Sequence, residues 1–114
     1  MRDWLISTRH EVVVAAPVLA EVCYLAQAHI SPLAEIDFVA SIARGEFAVE
    51  AQLTSDLPRV AQLVKRYADL SLGYVDASVV AIAERLGARA ILTTDRRHFA
   101  AVRDRKGRAF TLLP

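Results

Sequence analysis

One cysteine, one tryptophan, four glycines and four prolines are spread over 114 residues. The lone thiol, Cys23, excludes an internal disulfide and fits a reducing compartment. Between Val22 and Tyr24 on an apolar stretch it reads as a small buried hydrophobe rather than a nucleophile. No stretch reaches the roughly 20 apolar residues of a membrane span, and Met1-Arg2-Asp3-Trp4 leads into no apolar segment of signal-peptide length. The expectation is a cytoplasmic protein without a membrane partner. No His/Cys spacing suits zinc, no glycine-rich run suits a phosphate loop, and no Gly-x-Ser-x-Gly elbow occurs. With a net charge of only +1 there is also no global basic field.

What the chain has in quantity is apolar residues, at 54%. That content favours one compact α/β domain with buried strands. Charge is uneven: Arg96, Arg97, Arg103, Arg105, Lys106 and Arg108 crowd the end, offset there by Asp95 and Asp104. The run reads either as a solvated tail or as a phosphate-contacting surface.

Residues 2–7 read as the end of an amphipathic helix with Trp4 and Leu5 inward. The β-branched run 11–16 predicts a strand covered on both faces, as in a parallel sheet. Pro17 suits the first turn of a helix to about residue 29. Ser31, Pro32 and Glu35 start a second helix, which Gly45 ends. A strand is expected over 47–53, and Thr54-Ser55-Asp56 caps a helix over 57–70 whose face is Val60, Leu63, Val64 and Tyr67. Asp76 opens a further helix closed at Gly87. A buried strand over 90–93, a short helix near 96–101 and a last strand over 108–113 complete the order. Strands alternating with helices predict a three-layer α/β/α sandwich around a mainly parallel sheet.

Sites in such sheets form beyond the carboxyl ends of the strands. Asp95 follows the strand at 90–93, Glu21 lies early in the helix after the strand at 11–16, and Asp76 can point to the same rim. Clustered carboxylates repel, and a divalent cation with hard-oxygen preference, Mg²⁺ or Mn²⁺, neutralises them. Each acid has a plainer alternative. Glu21 shares a stripe with Val18 and Leu25 and needs a cation or hydrogen bonds unless it snorkels from the stripe's edge. Asp76 and Asp95 each sit where a carboxylate caps a helix. His10 and His29 lie at element ends, and His98 reads as surface or packing.

Three blocks carry a family resemblance. They are Leu19-Ala20-Glu21-Val22, then Val75-Asp76-Ala77-Ser78 with Ala83-Glu84-Arg85-Leu86-Gly87, and Ile91-Leu92-Thr93-Thr94-Asp95-Arg96-Arg97-His98-Phe99. With these the chain resembles the PIN-domain ribonucleases, and among them the VapC-like toxins of toxin–antitoxin pairs. The resemblance implies a metal-dependent endoribonuclease toxin neutralised by a VapB-like antitoxin, and a homodimer. Glu21, Asp76 and Asp95 would be the catalytic acids holding Mg²⁺ or Mn²⁺. Thr93 would orient the pocket by hydrogen bonding, and Arg96 or Arg97 would contact RNA. Both arginines also read as solvated charges. The apolar helices over 17–29 and 31–44 are candidate faces for a dimer partner and for the antitoxin.

One departure is marked. The family begins with a central strand carrying an Asp, and no such segment is legible before Glu11. The single domain over 1–114 is therefore expected to lack its first central strand, and the active protein to start upstream. The rival reading is a non-catalytic module that binds antitoxin or RNA without cutting. A phosphoacceptor domain of the receiver type ranks below both. It needs a lysine at the end of a late strand, and the lysines here are Lys65, mid-helix, and Lys106, in a turn.

Overall fold

The computed structural model describes residues 5–7, 12–93 and 96–113. Five strands form one sheet: β1 (Leu5–Ser7), β2 (Val12–Ala15), β3 (Ala48–Glu50), β4 (Ala90–Leu92) and β5 (Thr111–Leu113), in the order β3-β2-β1-β4-β5. Five α-helices connect them: α1 (Ala16–His29), α2 (Pro32–Ala43), α3 (Leu57–Arg66), α4 (Tyr74–Leu86) and α5 (Arg96–Ala100). The β2–β3 and β4–β5 pairs are parallel, whereas β1 is antiparallel to both neighbours. Four of the five strands thus run one way, and the α/β class expected from the sequence holds.

The centre of the sheet differs from expectation. Residues 5–7 form a strand, not the end of a helix, and they occupy the central position that was expected to be empty. The cause is tertiary. With nothing between them, β2 and β4 would each leave a row of peptide groups unpaired inside the fold. Ile6 and Ser7 pair with both at once and Leu5 with β4, and that double ladder overrides a weak local preference. Trp4 lies outside the described residues.

Smaller corrections follow from capping. Ser31 Oγ accepts the Ala34 amide at 3.2 Å, as a helix cap should. Thr54–Asp56 instead form a 3₁₀ turn, with Asp56 Oδ2 accepting the Leu53 amide at 2.9 Å. The helix expected over 57–70 ends at Arg66. Tyr67 leaves helical geometry, a 3₁₀ turn follows over Ala68–Leu70, and Ser71 then turns left-handed at φ 57°. Val64, expected inward, is exposed. The strands expected over 47–53 and 108–113 shrink to three residues each.

The core is built on α4, in which every residue from Asp76 to Ala83 is buried. A helix apolar on all sides belongs at a domain's centre. Val18 and Val22 of α1, Val60 and Leu63 of α3, Ile91 of β4 and Phe99 of α5 join it in one cluster. By contrast α2 buries no residue. Gly87 closes α4 in the left-handed region, at φ 72°, where a side chain would be strained.

Three ion-pair groups tie these elements together. Arg59 of α3 grips Glu84 of α4 through two hydrogen bonds, of 2.8 and 2.9 Å. Arg85 spans Asp56 and Glu50, and donates to the Ala51 carbonyl. Burial pushes the Asp56 carboxyl up, but the Arg85 guanidinium and the Leu53 amide hold it below its ordinary value.

The third group closes the hairpin between Arg103 and Ala109, which form an antiparallel bridge. Asp104 accepts the Lys106 and Arg108 amides, each at 2.9 Å, and pairs with Arg108 and with Arg89. The Arg108 amide leads in holding Asp104 at about 2. Burial opposes it, and the Lys106 amide and Arg108 guanidinium add to it. A carboxyl depressed in the fold stabilises above its unfolded value of 3.8 and ceases to as pH falls through about 2. Asp104→Asn should therefore lower the melting temperature at neutral pH. The gap from wild type should narrow as pH falls from about 4 to about 2. Thermal scans across that range check it, and a gap constant down to the lower pH would refute it.

Candidate active site

Strand register brings the predicted acids to one rim. Ile6 of β1 faces Val13 on one side and Ile91 on the other, so β2 and β4 stand level. Both run the same way, roughly 10 Å apart with one strand between them. At their shared carboxyl ends Ala15 leads directly into α1, and Leu92 into Thr93. The first turns of α1 and the residues after β4 therefore open on the same edge of the sheet.

Glu21 sits about 8 Å along α1 from its start, at the pitch of an ordinary helix. It flanks the stripe of Val18 and Val22 that packs into the core, and is half-buried. Asp76 is 2% exposed in the first turn of α4, which packs against α1. Gly73, not Asp76, is the N-cap of that helix, and Asp76 is its third residue. The helix end still favours a negative charge there. Thr93 is buried immediately beyond β4. None of Glu21, Asp76 and Thr93 stands without a partner.

Asp95 lies outside the described residues, as does His10, and Arg97 is exposed on α5. Phe99, from the same block, anchors α5 at 1% exposure in the core. Among the described residues no group of three His, Cys, Asp or Glu side chains forms a metal cage. The described candidate donors at the rim are carboxylate and hydroxyl oxygens, a set that suits Mg²⁺ or Mn²⁺. Cys23 is half-buried, and burial first, then Glu35, raises its thiol above its ordinary value. A raised thiol holds little thiolate, which suits a packing role.

A polar network beside the site was not legible in the sequence. Gln52, in the loop after β3, donates to the fully buried Ser78 at 2.7 Å and accepts from the Tyr74 hydroxyl. It ties the first two turns of α4, where Asp76 lies, to the β3 loop. Its only sequence signal is Ser78, a polar residue inside an apolar helix.

Residues 1–105 match the PIN domain family. Over 108 residues the chain is 34% identical to Ribonuclease VapC26 of Mycobacterium tuberculosis, which covers 95% of this chain and 80% of that protein. The chain is a VapC-like PIN domain. In this PIN domain the three resembling blocks fall at α1, at α4, and across β4 into α5. No helix among its described residues is long and apolar enough to cross a membrane.

Proposed function

We propose that this PIN domain is a metal-dependent endoribonuclease toxin, active on RNA phosphodiester bonds and neutralised by a cognate antitoxin. The observation that carries the reading is Asp76, a carboxylate at 2% exposure on the rim to which α1 and the end of β4 also lead. Similarity to a ribonuclease supports a nuclease chemistry at that rim. Glu21, Asp76 and Asp95 would hold Mg²⁺ or Mn²⁺, with Thr93 orienting a carboxylate by hydrogen bonding. When bound, the cation supplies activation of a water and neutralisation of charge on the transferring phosphoryl group. Arg97, and Arg96 beside it, would steer the phosphate to the rim.

The antitoxin and dimer readings rest on α1 and α2. Leu33, Ile36 and Val39 are exposed along α2, with Tyr24 and Ile30 exposed on α1 or at its end. An apolar face of this extent suits an amphipathic partner segment or a second copy. The reading places the whole in the cytoplasm, where RNA and antitoxin meet.

Purified protein should cut RNA with Mg²⁺ or Mn²⁺, and EDTA should stop it while excess metal restores it. Gel assays of labelled RNA check this. A second reading, binding without cleavage, draws on the sheet's centre: Leu5–Ser7 carries no carboxylate where the family has its first Asp. It prevails if RNA or antitoxin is bound but no metal restores cutting.

A further inference from the structure

We infer that a basic strip that begins at the end of the sheet opposite the acidic rim and runs along α3 binds the phosphate backbone of RNA. The inference rests on the ribonuclease reading and extends it to how long substrates are held. Arg89 immediately precedes β4 and Thr93 immediately follows it, so the two mark opposite edges. From Asp76 to Glu84 is about 12 Å along α4.

Two hollows lie there, and a third leads from them along α3. The first, about 330 Å³, lies between the end of α4 and the 104–108 loop, and Arg89, Arg105, Lys106 and Arg108 line it. The second, about 250 Å³, shares Glu84 and Arg105 with the first and reaches Arg59. The third, about 540 Å³, shares Arg59 and ends at Lys65 and Arg66. Together their walls hold eight basic and three acidic side chains. Only six basic residues remain elsewhere, against ten acidic ones. A chain that is nearly neutral overall is thus strongly divided.

The three carboxylates are already engaged. Glu84 holds Arg59, Asp56 holds Arg85, and Asp104 holds Arg89 and Arg108. Lys65, Arg66, Arg105 and Lys106 have no carboxylate partner among the described residues. A small anion would fill one hollow, whereas this run of charge over successive hollows suits a polyanion. Arg66 lies over the Tyr67 ring at 5.6 Å. Stacking holds its guanidinium plane in a fixed orientation, which suits the forked recognition of phosphate oxygens.

The test uses the full chain with Asp76→Asn, which holds RNA uncut, and a labelled oligouridylate of about 30 nucleotides. Adding Arg105→Glu with Lys106→Glu should raise Kd about tenfold or more. It should also lower the slope of log Kd against log salt by about 1.4, as expected for two lost phosphate contacts. Lys65→Glu with Arg66→Glu should act alike from the other end. In the Asp76 protein, cleavage of a dinucleotide, too short to reach the 104–108 loop from the rim, should be unchanged by the Arg105 and Lys106 pair. All four side chains are exposed, so circular dichroism should show an unaltered fold. An unchanged Kd and slope, with the Asp76 protein still cutting RNA, would overturn the strip and leave the ribonuclease standing. Loss of a glutamate-rich peptide instead of RNA would overturn it too. Charge-dependent RNA binding without any cutting would uphold the strip and remove the ribonuclease reading.

Discussion

Asp76→Asn should lower RNA cleavage by about 10³-fold while leaving the melting temperature unchanged or raised. The substitution keeps the shape of the side chain and removes its charge. Asp76 is almost wholly excluded from water, so its charge interacts strongly with any cation placed beside it. Metal catalysis supplies several kcal/mol of transition-state stabilisation, and about 4 kcal/mol corresponds to three decades of rate. Crowded carboxylates also repel, so neutralising one relieves the fold. A purely structural aspartate would behave in reverse, with a lower melting temperature and intact cleavage. Single-turnover cleavage and thermal scans on the same preparations separate the two. A variant within about tenfold of wild type would remove Asp76 from the metal-binding set.

That contrast bears on what could be read from the sequence. Val12–Ala15 and the turn into α1 were legible because a β-branched run and a proline at the helix start act locally. The start of α2 was legible for the same reason, through Ser31 and Pro32. β1 was not, because three residues are too few to show a period of two. Leu5, Ile6 and Ser7 are a strand by virtue of neighbours 7 and 85 positions away, Val13 paired with Ile6 and Ile91 with that same residue. The rim was legible to the extent that topology fixes it. Side-chain partners were not: Gln52 and Ser78 lie 26 residues apart, and Arg85 and Asp56 lie 29 apart. Nothing in the sequence marks Arg59 and Glu84, 25 residues apart, as partners. In the fold they are among its most enclosed polar groups.

Glu84→Ala should therefore be the most destabilising of the charge removals, by about 3 kcal/mol or more. The Arg59 and Glu84 side chains are only 9% and 12% exposed, and they meet through two parallel hydrogen bonds. Removing the carboxylate leaves the guanidinium enclosed without a counter-charge, a loss distinct from the small value of an exposed pair. Gln62 at 3.4 Å and the Arg103 carbonyl at 3.5 Å are too distant to replace it. For a domain of this size the loss corresponds to a fall in melting temperature of roughly 10 °C. Replacing both partners with leucine should recover most of it, because no orphaned charge then remains. Recovery in the double variant identifies desolvated charge as the cause. A double variant as unstable as Glu84→Ala would instead mean that the pair fixes the α3–α4 packing itself. Short-RNA cleavage at a temperature where each variant is folded should match wild type, since Glu84 lies two helical turns from Asp76.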